Sequence, residues 1–109
     1  MKFLSRSEEL ILLAIWRLKA NAYVVTIQQE LKAMTGETWA LGALFVTLER
    51  MTRKGYIDSR FSEATPKRGG RVKRLYRLRP RAVDALNAVR ELEASLWRDL
   101  PLVKEEESA

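Results

Sequence analysis

The sequence predicts a mainly α fold that carries one β-hairpin and a further C-terminal helix, and three observations predict it. Apolar residues recur at helical spacing in three successive segments before Gly55. Beyond Gly55 the period falls towards two, in two runs separated by the turn-rich, basic stretch Thr65-Pro66-Lys67-Arg68-Gly69-Gly70. A last helical pattern opens at Pro80, a residue suited to a first helical turn.

The first helix begins at a capping box, Ser5 followed by Glu8. Ile11, Ala14, Ile15 and Leu18 share its inner face, and Leu10, Leu13 and Trp16 widen that face, so nearly all of this helix should be core. After a break at Asn21, Thr26 with Gln29 repeats the capping pattern, and Ile27, Leu31 and Met34 form the apolar side of a second helix that Gly36 ends. Leu41, Leu44, Phe45, Leu48 and Met51 define a third helix, running to about Lys54 and stopping at Gly55. Ile57, Ser59 and Phe61 then share one face of a strand, and Val72, Arg74, Tyr76 and Leu78 one face of the next. Three helices followed by a two-stranded hairpin form a winged helix-turn-helix, in which the third helix is the element suited to a DNA major groove.

The final helix is expected to end at Pro101. Ala82, Ala85, Val89, Leu92 and Leu96 form a short heptad seam, with Leu86 and Trp97 beside it. This seam packs either on the first helix or on a second copy of the chain. The second copy is preferred, because an amphipathic helix at the chain end has little of its own domain left to cover it. The expected division is a DNA-binding domain over residues 1–79, a dimerisation helix over 80–101 and a flexible acidic tail over 102–109.

A chain of 109 residues has room for one modest core, which a dimer interface would extend. Its 47% apolar and 31% charged residues exclude wholesale disorder. With no cysteine and no histidine, the chain lacks disulfides, thiolate ligands, thiol nucleophiles and the commonest general base. No Asp or Glu lies within an apolar stretch that would perturb its pKa, so an enzyme is a distant reading, and neither cofactor nor metal is expected. The longest apolar run, Leu10 to Trp16, is broken by Arg17 and is too short for a membrane span; Glu8-Glu9 stand where a signal peptide would be basic. A cytoplasmic protein is expected.

Charge is unevenly spread. Residues 50–81 hold twelve Lys or Arg against only Asp58 and Glu63, a segment of +10, whereas the rest of the chain is −4. A charge run is most often a solvated face, but this one overlaps the hairpin, and that favours a polyanionic partner. With the apolar stripe of the third helix turned inward, Ala43, Val46, Arg50 and Arg53 point outward, with Gly42 and Thr47 beside them. Ala43, Val46 and the Thr47 methyl suit thymine methyl groups, Gly42 permits close approach, and Arg50 reaches guanine or phosphate. Gly42 and Ala43 are equally understandable as small residues that ease helix packing. In the hairpin, Lys67, Arg68, Arg71 and Lys73 suit phosphates or the minor groove, and Gly69-Gly70 bring backbone amides close to the sugar-phosphate chain. Some of Arg74, Arg77 and Arg79 should instead pair with acidic residues of the body.

Four stretches together resemble the PadR family of regulators, in particular its short members: Ile11-Leu12-Leu13-Ala14, Ala22-Tyr23, the third helix from Leu41 to Met51, and Thr65 to Leu78 across the hairpin. The likeness spans about residues 7–90. It implies a homodimeric, sequence-specific DNA-binding repressor, often released from its operator by a small aromatic or lipophilic ligand. Where the family usually has Ser at the start of the third helix and Tyr five residues on, this chain has Ala40 and Phe45, and Val24 stands where Gly is common. The expected partners are therefore double-stranded DNA and a second copy, with an effector against Trp16 and Trp97 unless these are plain core. The rival is a winged-helix module that binds protein and has lost DNA. An RNA-binding protein would need an exposed aromatic platform.

Overall fold

Ser5 and Glu8 start α1 (Arg6–Leu18) reciprocally: Ser5 Oγ accepts from the Glu8 amide at 3.2 Å and Glu8 Oε1 accepts from the Ser5 amide at 2.9 Å. The computed structural model describes residues 2–63 and 72–101. Within α1, Ile11, Leu12, Ala14 and Ile15 are buried, whereas Trp16 is 56% exposed, with Lys19 Nζ 3.7 Å above its ring. Trp16 thus lies outside the core that its spacing predicted.

A 3-10 turn, Lys19–Asn21, leads into α2 (Val24–Thr35). This helix opens earlier than the Thr26-Gln29 pattern predicts. Thr26 sits inside its first turn, where its hydroxyl accepts from the Tyr23 amide at 2.9 Å and donates to the Asn21 carbonyl at 2.6 Å. One hydroxyl therefore satisfies groups on both sides of the helix entry, and Gln29 is left exposed. Gly36 terminates α2 with a φ of 81°, as predicted.

The third helix, α3 (Leu41–Arg53), buries Leu44, Leu48 and Met51. Leu41 and Phe45, which complete the same periodic stripe, are instead exposed at its N-terminal end. Gly55, at φ 83°, turns the chain out of α3 into the hairpin. The strands β1 (Ile57–Phe61) and β2 (Arg74–Leu78) pair antiparallel, with Ile57 opposite Leu78, Ser59 opposite Tyr76 and Phe61 opposite Arg74. Ile57 and Tyr76 point into the core. Val72 precedes β2 and is exposed rather than part of the strand. A backbone bond fastens the hairpin to the body, the Tyr76 amide donating to the Ala22 carbonyl at 2.8 Å, while the Arg79 amide donates to the Tyr56 carbonyl at 2.9 Å and extends the ladder at the hairpin's open end.

Pro80 opens α4 (Pro80–Trp97), which ends short of Pro101. Its first half completes the domain core, with Ala82 and Val89 buried and Ala85 and Leu86 packed against them. Ala82 is fully covered by its own chain and has no surface left for a partner. Leu92 is half-buried, while Leu96 is 67% and Trp97 50% exposed, so the heptad seam divides between its own domain and solvent.

Glu8 corrects the expectation that no carboxylate has a perturbing environment. It is buried, and Lys54 Nζ at the end of α3 lies 3.2 Å from Oε2. Burial pushes its pKa up, but the Ser5 amide and Lys54 outweigh that and hold it below the ordinary glutamate value. Among the described residues no helix is long and apolar enough to cross a membrane.

Candidate nucleic-acid interface

The inward turn of Leu44, Leu48 and Met51 leaves Gly42, Ala43, Val46, Arg50 and Arg53 exposed along α3, with Thr47 half-buried. These are the outward residues expected from the periodicity. Thr47 is less available than its chemistry suggests, since its hydroxyl donates back to the Ala43 carbonyl at 3.1 Å. Arg50 and Arg53 have no acidic side chain within ion-pair distance among the described residues. The helix thus presents an apolar N-terminal half and a cationic C-terminal end.

The hairpin lies directly alongside. Tyr23, Val24 and Val25 at the entry of α2 and Phe45 of α3 line an open groove together with Val72, Lys73 and Arg74, so the segment leading into β2 faces both the start of α2 and the Phe45 side of α3. Arg74 fixes this arrangement: its Nη1 is 2.9 Å from Glu49 Oε1 on α3, and its Nε donates to Ser59 Oγ on β1 at 3.0 Å. Arg77 pairs with Asp58 across the hairpin at 2.7 Å. The Arg74–Glu49 pair matches the expectation that part of the basic segment serves the body, whereas Arg77 pairs within the hairpin itself.

Lys73 is exposed, but its Nζ rests 3.3 Å from the Tyr23 hydroxyl and 4.3 Å from that ring's centroid. Its backbone continues the ladder, as the Ser62 amide donates to the Lys73 carbonyl at 2.8 Å. Tyr23 as a seat for Lys73 had no sequence signal, because the two lie on segments joined only by tertiary folding. Lys67, Arg68, Gly69, Gly70 and Arg71 lie outside the described residues, as does the segment 102–109.

Within one chain, Trp16 and Trp97 do not share a groove. Trp16 lines an apolar groove of about 550 Å³ between α1 and α4, with Leu13, Val83 and Leu86 as further walls. Trp97 stands outside this lining and donates from Nε1 to Glu93 Oε2 at 3.2 Å. Both are half or more exposed, so neither belongs to the core of its own chain.

No protein-family model matches the chain, and no curated protein matches it. Solved structures do. RosR of H. salinarum superposes with a TM-score of 0.62 at 25% identity, over 96% of this chain and 86% of that one. A PadR family transcription regulator from Clostridium difficile gives 0.61 at 22% identity, over 93% of this chain and 97% of that one. Bacillus subtilis PadR, solved in complex with operator DNA, gives 0.62 at 19% identity; 94% of this chain matches 53% of that longer one. Among the described residues, helices α1 to α4 with an antiparallel hairpin between α3 and α4, superposable on these structures over most of this chain, make the fold that of a PadR-like winged helix.

Proposed function

We propose that the chain is a DNA-binding transcription regulator, with α3 in the major groove and the hairpin on the flanking backbone. The observation that carries this reading is the shared groove of Phe45 with Val72, Lys73 and Arg74, which sets the exposed flank of α3 and the basic hairpin side by side. A duplex is the partner that this juxtaposition suits, because a helix fits its major groove and cations meet phosphates on either side. The fold likeness to a protein solved on operator DNA supports the same reading. In this scheme Arg50, Lys67, Arg68, Arg71 and Lys73 carry affinity, while Gly42, Ala43, Val46 and Thr47 meet bases.

The regulator acts as a homodimer joined through the C-terminal part of α4, where Leu96 and Trp97 are exposed. Paired copies place two α3 helices on a pseudo-palindromic site and repress by occluding it. An apolar effector enters the groove between α1 and α4 that Trp16 lines.

A gel shift on the DNA upstream of the protein's own gene tests the function. Charge reversal at Arg68 and Arg71 should weaken retention and lower the slope of log affinity against log salt by about two or more. Retention unchanged by the reversal removes the hairpin from the interface. No retention of any duplex by the unaltered chain transfers the function to a protein-binding module.

A further inference from the structure

The exposed N-terminal half of α3 offers almost no hydrogen-bonding side chain. Leu41, Gly42, Ala43, Phe45 and Val46 have none, and the Thr47 hydroxyl is engaged by its own helix at 3.1 Å. Glu49 is held by Arg74 at 2.9 Å, so Arg50 is the first side chain along the helix that has no partner among the described residues and can bond a base edge. Val46 is 60% exposed, in a position where an apolar side chain gains nothing from facing water.

Resting on the DNA-binding reading above, we propose that α3 reads pyrimidine 5-methyl groups in the major groove, with Val46, Ala43 and Thr47 as the specificity-determining residues. Thymine is the base whose major-groove edge carries such a methyl. A duplex is favoured as the occupant of this apolar face by charge: Arg50 and Arg53, without an ion-pair partner among the described residues, extend it on the same helix, and Lys73 borders the groove beside it. An apolar protein partner would not call for cations there. Gly42 contributes by absence, since nothing beyond its adjoining residues and the backbone of its own helix lies within 4 Å of where its Cβ would stand, leaving the helix open to close approach. Discrimination then resides in buried methyl area at two or three thymines, and affinity in the cations.

The test starts from a duplex selected by the full chain out of a randomised pool. Each thymine is replaced in turn by deoxyuridine, which keeps the pairing edge and loses the methyl. Binding should weaken about fourfold for each contacted thymine, the effect of withdrawing one buried methyl. Val46→Ala, which removes exposed methyls and leaves the fold intact by circular dichroism, should bring the thymine-to-uracil ratio towards one. Sequence-specific binding with equal affinity for both duplexes overturns the methyl reading while DNA binding stands. Equal affinity accompanied by a changed sedimentation mass in Val46→Ala gives the face to a second copy and overturns it too. Selection that enriches no sequence removes the readout altogether, and absence of all duplex binding removes the function on which it rests.

Discussion

Glu8 shows how one side chain can hold two distant elements. Its Oε1 caps α1 through Ser5 and its Oε2 meets Lys54 at the end of α3, so the negative charge sits at one helix start and the positive charge at another helix end. Because its folded pKa is lowered, the unfolded chain binds the proton more readily. The stabilisation is therefore full above the unfolded glutamate pKa and is lost as pH falls through the lower folded value. Glu8→Gln should be less stable at neutral pH by about 1–2 kcal/mol, a modest figure because Lys54 is partly solvated. Its melting temperature should also fall less steeply than the parent's between pH 5 and 3. Equal acid slopes by calorimetry would show that the pair does not titrate with folding.

Two glycines make opposite predictions at this scale. Gly55 has room for a methyl, with its nearest neighbour, Arg81 Nη1, 3.8 Å away, but its φ of 83° strains any L side chain. Gly55→Ala should cost about 1–2 kcal/mol from backbone strain alone. Gly42 lies within α3 in open space, so Gly42→Ala should raise stability by up to about 1 kcal/mol through helix propensity. If α3 approaches a duplex closely, that stabilised variant binds DNA more weakly. Thermal melts beside binding curves separate the two effects.

At the scale of elements, the Arg74–Glu49 pair decides how the hairpin stands against α3. A simple electrostatic view makes Glu49 a hindrance near phosphates, and its neutralisation should then tighten binding to every duplex. The geometry predicts otherwise for the selected site, because Glu49→Gln releases Arg74 and lets the hairpin shift relative to the helix. The ratio of specific to non-specific affinity should fall severalfold, even where non-specific binding rises. Arg74→Ala should lower the same ratio, whereas Arg77→Ala, which breaks a pair confined to the hairpin, should leave it nearly unchanged.

For the whole molecule, α4 connects the domain to its proposed partner. Its first half is committed to the core through Ala82 and Val89, and its second half leaves Leu96 and Trp97 in water. Leu96→Glu is exposed enough to spare the fold and should convert a dimer to a monomer by sedimentation. A variant that remains dimeric would move the interface elsewhere. The same variant should bind a half-site and a full palindrome with similar affinity, since it has lost the second α3.

Local chemistry was enough to specify the elements: the Ser5-Glu8 box, the helical recurrence through Leu44, Leu48 and Met51, and the stops at Gly36 and Gly55 all act within a turn or two of chain. The outward set on α3 follows from the same periodicity. The entry to α2 departs from the sequence pattern because a Thr serves both at a cap and inside a first turn, and the Asn21 carbonyl holds Thr26 in the second place. What tertiary structure alone decided is which charges and aromatics are free. Lys54 finds Glu8, Arg74 finds Glu49 and Lys73 finds Tyr23 across long stretches of sequence, while Trp16, Leu41 and Phe45 lie beyond the elements that cover the rest of their apolar stripes. Periodicity records the direction in which a side chain leaves its helix; whether anything waits there depends on a neighbour brought in by the fold.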